Sequence, residues 1–139
     1  MSVDRGTIYR LDFEDLLPDC WEGEPAGERY VVVVSPRWLN DRVQTVLVAP
    51  TTASQVEARS EMLTNVLLLP DRTATGITRP SVVQLHLLYG IHPMRLGERV
   101  GRVTCSDALD ELVRCAAYAV GDAEHWVAQP APRLRGATG

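Results

Sequence analysis

Apolar runs in this chain are short and separated by polar loops, which is typical of a small, mainly β domain. In residues 7–13 apolar and polar positions alternate, which predicts a half-buried strand. Residues 29–35 and 43–49 are apolar on both faces, so we expect two central, buried strands there. Further strands are predicted at residues 65–69, 81–89 and 99–104.

One helix is predicted after the strands. Ser106 is its expected cap and Gly121 its expected stop. Apolar residues at helical spacing define the expected packing face: Leu109, Leu112, Val113, Ala116 and Val120. Strands followed by one helix indicate a mainly β (α+β) fold, either a small SH3-like barrel or a strongly bent antiparallel sheet with a C-terminal helix.

Length and loop composition predict a single domain. A chain of 139 residues is large enough for one real core. We expect the domain to span residues 1–121, and residues 122–139, rich in Pro, Gly and Arg, to form a loose tail. Residues 14–28 form a long polar loop, and loops of this length in compact domains are usually functional or disordered.

Charge and cysteine content narrow the function classes. The net charge of −4 argues against broad, sequence-blind binding of nucleic acid, yet all 14 basic side chains are arginines, which suit bidentate contacts to phosphate. Cys20, Cys105 and Cys115 follow neither a zinc-binding nor a disulfide pattern, so reduced thiols are expected. No apolar run reaches membrane-spanning length and no signal pattern opens the chain, so we expect a cytoplasmic protein.

Two buried strands carry the candidate chemistry. A small-residue polar loop leads into Arg29 at the start of one strand, and a cation placed there is well held yet reaches solvent. The other strand is expected to end at Pro50, which places the hydroxyls of Thr51 and Thr52 just beyond the ladder. A guanidinium and hydroxyls of this kind indicate a site for an anion.

Five stretches together resemble the MazF/PemK (Kid) family of toxin endoribonucleases from type II toxin–antitoxin systems. They are GTIYRLDF at residues 6–13, AGER at 26–29, VVSP at 33–36 followed by Asn40, PTT at 50–52, and LGERVGRV at 96–103. The resemblance implies a CcdB/MazF-like fold, a homodimer and a cognate antitoxin protein as partner. It also implies cleavage of single-stranded RNA (mRNA) without a cofactor or metal.

The resemblance assigns catalysis to Arg29 and Thr52. For the general base two candidates remain: His86, aligned with an aspartate of the Kid/PemK branch, and Glu24, where the family often has glutamate. Imidazole titrates near neutral pH, which suits a base, although a histidine on an apolar strand is often a hydrogen-bonded core group. Further RNA contacts are expected from Trp21, Gly27, Glu28, Thr51 and Gln84, the last on the face of its strand shared with His86.

RNA supplies its own nucleophile, the 2′-hydroxyl, so a metal-free enzyme needs a base, a phosphate clamp and help for the leaving 5′-oxygen. Arginine is a poor base, and Arg29 is therefore expected to stabilise charge on the phosphate. The alternatives are a CcdB-like toxin that poisons gyrase by contact without cleaving, or a degenerate homologue that acts as a regulator.

Overall fold

The fold was obtained as a computed structural model that describes residues 3–13, 28–74 and 77–121. Within these residues eight strands form one sheet: β1 (Thr7–Asp12), β2 (Glu28–Val33), β3 (Val46–Thr52), β4 (Asn65–Leu68), β5 (Thr73–Ala74), β6 (Ser81–Gln84), β7 (Tyr89–Ile91) and β8 (Arg99–Val103). Three α-helices accompany them: α1 (Arg37–Asn40), α2 (Val56–Arg59) and α3 (Ser106–Val120). The paired strands are antiparallel in the order β4-β6-β3-β2-β1-β8-β5, and β7 pairs with β3.

Strand β2 lies in the middle of this sheet and is buried on both faces, as its apolar run predicts. Val31, Val32 and Val33 have no exposed surface. Val32 belongs to the apolar cluster beneath α3, whereas Val31 and Val33 belong to a second cluster with Phe13 on the other face. Burying each of these side chains contributes about 1.5–3 kcal/mol, so β2 is the rigid centre of the domain.

The third strand begins and ends later than predicted. Val43 is exposed and lies before the strand, which runs through Pro50 to Thr52. Pro50 does not end the strand. It lies at the point where the neighbour of β3 on one side changes from β7 to β6. Val46–Val48 pair with β7, and Thr51 and Thr52 pair with β6. A proline without an N–H donor is tolerated at such a gap.

The segment predicted as one strand at residues 81–89 is interrupted. Strand β6 ends at Gln84, a 3₁₀ turn occupies Leu85–Leu87, and β7 starts at Tyr89. Leu85 is fully buried in the cluster beneath α3, so packing rather than strand geometry determines this turn. The expectation that Gln84 and His86 share a strand face was therefore wrong, since a two-residue period does not continue through the turn.

Helix α3 covers one face of the curved sheet. Its N-terminal cap position is Cys105 and not Ser106, which is the first helical residue; Gly121 occupies the C-terminal cap position, as predicted. The predicted packing face was partly wrong. Leu112 is buried and Leu109 and Ala116 pack partly buried against the core, but Val113 and Val120 are exposed. The buried positions of the helix are Ala108, Glu111, Leu112, Cys115 and Tyr118.

Small residues explain which face of α3 packs against the sheet. Ala108 and Cys115 let the helix approach the sheet, and the Cys115 thiol lies 3.8 Å from the Asn65 carbonyl oxygen on β4. Cys105 and Cys115 are both free thiols, whereas Cys20 lies outside the described residues. No helix in the described part of the chain is long and apolar enough to cross a membrane.

Candidate active site

The antiparallel pairing of β2 with β3 brings the start of one strand next to the end of the other. Val31 pairs with Pro50, and the Thr51 hydroxyl donates a hydrogen bond of 3.1 Å to the Tyr30 carbonyl oxygen. The same register continues towards Arg29 and Thr52, and both line one pocket of about 300 Å³. The two residues selected from the sequence therefore meet at one site.

The hydroxyl of Thr52 has a defined hydrogen-bonding role. The side chain is only 5% exposed, and its Oγ1 accepts bonds from the Ser54 N–H at 3.2 Å and from Arg59 Nη1 at 3.1 Å. A hydroxyl has two lone pairs and one hydrogen. Because both lone pairs are engaged, Thr52 can offer its hydrogen to a ligand. The Thr51 hydrogen, in contrast, is already donated to Tyr30.

Arg10 is a second cation in the pocket and was not selected from the sequence. It pairs with Tyr30 across β1 and β2, and its guanidinium carbon lies 5.8 Å from the centre of the Tyr30 ring, within cation–π range. The Glu98 carboxylate lies 3.7 Å from Arg10 Nε, at an exposed position where such pairs contribute little. The Gly97 N–H donates to the Arg10 carbonyl oxygen at 2.8 Å, and a Cβ at Gly97 would lie 2.8 Å from that oxygen.

Arg79 is the third cation. It lies just before β6, the strand that pairs with the end of β3, and it lines the same pocket as Thr52. Its carbonyl oxygen accepts a bond from the Ser81 hydroxyl. The pocket combines guanidinium groups, hydroxyl groups and two apolar side chains: Arg10, Arg29, Tyr30, Thr51, Thr52, Ala53, Ile77, Thr78, Arg79 and Ser81. Among the described residues, no carboxylate lines it. Arginines and hydroxyls in this arrangement suit a phosphate group.

His86 lies on the 3₁₀ turn that follows β6 and does not line this pocket. Its Nδ1 is 3.3 Å from Asn65 Oδ1 and 3.4 Å from Thr64 Oγ1, while much of the ring is exposed. Partial burial, and secondly the positive charge of Arg59, lower the pKa of His86 below its usual value of 6.5. The lowered pKa favours the neutral imidazole, the form that a general base requires.

The structure brings together part of the predicted site. Arg29, Thr51 and Thr52 share the pocket; Gln84 and His86 lie outside its lining, at the end of β6 and on the following turn. Trp21, Glu24 and Gly27 lie outside the described residues, and for Glu28 only its backbone in β2 is described. In residues 3–13, 28–74 and 77–121, no three His, Cys, Asp or Glu side chains group in a way that could hold a metal ion.

Sequence reasoning missed Arg10, Arg79 and Arg59. The alternating pattern of residues 7–13 does place Arg10 on a polar face, but only the pairing with β2, which sets Arg10 opposite Tyr30, brings it to the pocket that Arg29 also lines. No local pattern marks Arg79 or Arg59, whose positions depend on pairings between distant strands.

Comparison by sequence identifies one protein family. The sequence profile of PemK-like, MazF-like toxins of type II toxin–antitoxin systems matches residues 4–117. No protein of curated function matches the chain significantly by sequence.

Solved structures resemble the chain in fold. MazF from Deinococcus radiodurans (crystal form I) superposes with a TM-score of 0.65 at 20% identity, over 87% of this chain and 98% of that one. A mycobacterial endoribonuclease in complex with its cognate antitoxin gives 0.63 at 19% identity, over 94% and 100% of the two chains. The Mycobacterium tuberculosis toxin MazF-mt6 gives 0.60 at 18% identity, over 81% and 94%. Identities this low establish the fold alone, a curled antiparallel half-barrel sheet with a C-terminal helix.

Proposed function

Because the chain belongs to the PemK-like, MazF-like toxins of type II toxin–antitoxin systems, we propose that it is an endoribonuclease that cuts single-stranded RNA at a short sequence. The pocket formed by Arg29, Thr52, Arg10 and Arg79 is the observation that carries the proposal. It presents positive charge and a hydroxyl donor at a rigid strand junction, although the chain as a whole is acidic. Such a local pocket suits recognition of a few nucleotides rather than general binding to nucleic acid.

In the proposed reaction the RNA 2′-oxygen attacks the adjacent phosphorus. The base, His86 or Glu24, takes the 2′-hydroxyl proton, the new 2′-O–P bond forms, and the P–O5′ bond breaks. The 5′-oxygen takes a proton from water as it leaves, and the base later returns its own proton to water, so the products are a 2′,3′-cyclic phosphate and a 5′-hydroxyl. Arg29 stabilises the negative charge that develops on the phosphate oxygens, and Thr52 donates its hydroxyl hydrogen to one of them. No step requires a metal ion.

The test is incubation of the purified protein with a long RNA in the presence of EDTA, followed by mapping of the cut ends. We expect cleavage at a recurring short sequence, with cyclic phosphate and 5′-hydroxyl ends. Cleavage that needs a divalent ion, or that leaves 5′-phosphate ends, would contradict the mechanism. Intact RNA together with inhibition of gyrase would favour the CcdB-like alternative, and intact RNA with altered expression of its own operon would favour a degenerate regulator.

We also propose that a cognate antitoxin neutralises the protein in the cytoplasm. A mycobacterial protein of the same fold has been solved with its antitoxin. The three arginines of the pocket favour an acidic antitoxin segment laid over the RNA site. A small neighbouring reading frame with an acidic C-terminus, whose product copurifies with this protein and blocks cleavage, is the expected finding; a neighbour that binds without blocking cleavage would contradict the proposal.

A two-fold homodimer with both Arg29 pockets facing one groove is the expected assembly. The apolar side chains of β6 are buried within the chain, so they do not supply the interface. Trp38 and Met94, which are 63% and 84% exposed, are better candidates for covered positions. Light scattering at working concentration should give twice the chain mass. A monomer that still cuts RNA would rule out the shared groove.

Neighbouring threonines allow a matched test of the hydroxyl donor. Thr52→Val keeps the β-branched shape but removes the hydrogen available to phosphate, so we expect kcat to fall about tenfold or more. Thr51→Val removes a hydrogen already donated to Tyr30, so we expect a smaller loss of kcat and about 1 kcal/mol less free energy of unfolding. Equal losses of kcat in both variants would show that Thr52 has no special role.

A further inference from the structure

Arg59, at the end of α2, is fixed by two buried residues. Its Nη1 donates to Thr52 Oγ1 at 3.1 Å, and its carbonyl oxygen accepts from Asn65 Nδ2 at 2.9 Å. Asn65 has no exposed surface and Thr52 is only 5% exposed. Both the side chain and the backbone of Arg59 are thus tied to the protein interior, while Arg59 itself does not line the pocket.

Asn65 extends this connection to His86. Because its amide nitrogen donates to Arg59, its Oδ1 is the atom that faces the histidine, 3.3 Å from Nδ1. An amide oxygen accepts hydrogen bonds only, so Asn65 Oδ1, which also accepts from the Thr64 hydroxyl at 3.2 Å, favours the tautomer with its hydrogen on Nδ1. Nε2 is then the nitrogen with a lone pair, and it is the nitrogen that can take a proton.

We infer that Arg59 is a positioning residue: its side chain aims the Thr52 hydroxyl into the pocket, while its backbone carbonyl holds Asn65, whose Oδ1 faces the His86 ring. The inference rests on the proposed function, because it names the residue that links the phosphate contact to the candidate base. Arg59 touches neither phosphate nor reacting atoms in this arrangement, and it acts through Thr52 and His86.

The first effect of Arg59 concerns the direction of the Thr52 hydrogen. The Arg59 guanidinium and the Ser54 N–H each donate a hydrogen bond to Thr52 Oγ1, and together they engage both of its lone pairs. The hydroxyl hydrogen then points away from both donors. A charged donor also polarises the hydroxyl and strengthens the bond that it makes to an anion. Without Arg59, the hydroxyl could rotate and donate elsewhere.

The second effect concerns the charge near His86. Partial burial lowers the pKa of His86 most, and the positive charge of Arg59 lowers it further. Three elements pack against the turn Leu85–Leu87, namely α3, β3 and β4. On α3, Cys115 faces Asn65, whereas the charged side chains Asp107, Asp110, Glu111 and Arg114 line a separate pocket with Arg72.

Two substitutions in the full-length chain, Arg59→Met and Arg59→Lys, separate these effects. Arg42→Met, at an exposed arginine, is the control. Histidine-selective NMR titration without RNA should show a raised pKa of His86 in Arg59→Met compared with the wild type. Arg59→Lys keeps the charge but not the geometry of the fork, so the pKa of His86 should stay low. In short-RNA cleavage, both Arg59 variants should lose about tenfold in kcat with little change in KM, and the control should lose nothing.

A double-mutant cycle supplies the decisive readout. If Arg59 acts through Thr52, Arg59→Met should cost little further kcat in the Thr52→Val background when rates are compared above the pKa of the base, where it is deprotonated in every variant. An equal loss in both backgrounds, or a pKa of His86 that does not move in Arg59→Met, would overturn the inference. A wild-type protein that does not cut RNA would contradict the proposed function, while the titration, which needs no RNA, would still decide whether Arg59 acts on His86.

Discussion

Replacing Arg29 by lysine should lower RNA cleavage about 100-fold while leaving the fold intact. The substitution keeps the positive charge but removes the planar fork that can hold two oxygens of a phosphate at once. Arg29 lies at the start of β2, opposite Leu11 of β1, and is half-buried at the rim of the pocket. Arg29 belongs to neither apolar cluster of the core, so the lysine variant keeps the apolar packing of the domain.

The measurement is kcat/KM on a short RNA, together with the thermal midpoint from circular dichroism. Arg42→Lys is the matched control, because Arg42 is exposed and lies outside the pocket. We expect the thermal midpoint of Arg29→Lys to stay within a few degrees of the wild type, since exposed and half-exposed substitutions seldom change stability by more than about 0.5 kcal/mol. Near-normal cleavage by Arg29→Lys would remove Arg29 from the site.

The centre of the fold could be predicted from the sequence because a continuous apolar run has few alternatives. Val31, Val32 and Val33 are apolar on both faces, and only a strand in the middle of a sheet with two covered faces buries them all. The same reasoning located Arg29, since it immediately precedes that run. Thr52 lines the same pocket as Arg29, although its strand continues through Pro50 instead of ending there as predicted.

What the sequence could not predict depends on contacts between distant segments. Residues 81–89 contain no Gly or Pro, so nothing local indicates that burial of Leu85 under α3 breaks the strand. Arg10 and Arg79 join the pocket only through the register of β1 with β2 and of β6 with β3. Arg59 reaches Thr52 from a helix of four residues, and no apolar periodicity in the sequence predicts that helix.

The role of His86 should be visible in the pH dependence of cleavage. A general base works only when deprotonated, so the rate should rise with pH through the pKa of the base and level off above it. Because partial burial and Arg59 lower the pKa of His86, the midpoint of the rising limb should lie below 6.5. At pH 7 the wild-type enzyme would then be nearer its plateau than an enzyme whose base had the usual histidine pKa.

Substitutions at His86 distinguish a base from a structural residue. His86→Asn retains a polar side chain but cannot take the proton, so we expect kcat to fall about 100-fold, as losing a general base typically does. His86→Asp supplies a carboxylate that ionises near pH 4, so some activity should remain and the rising limb should shift to more acidic pH. Because neutral histidine can also hydrogen-bond an RNA base, both the rate and the profile must change for the assignment to hold. An Asn variant with the wild-type rate and profile would make His86 a binding or structural residue, and Glu24 would become the candidate base to replace next.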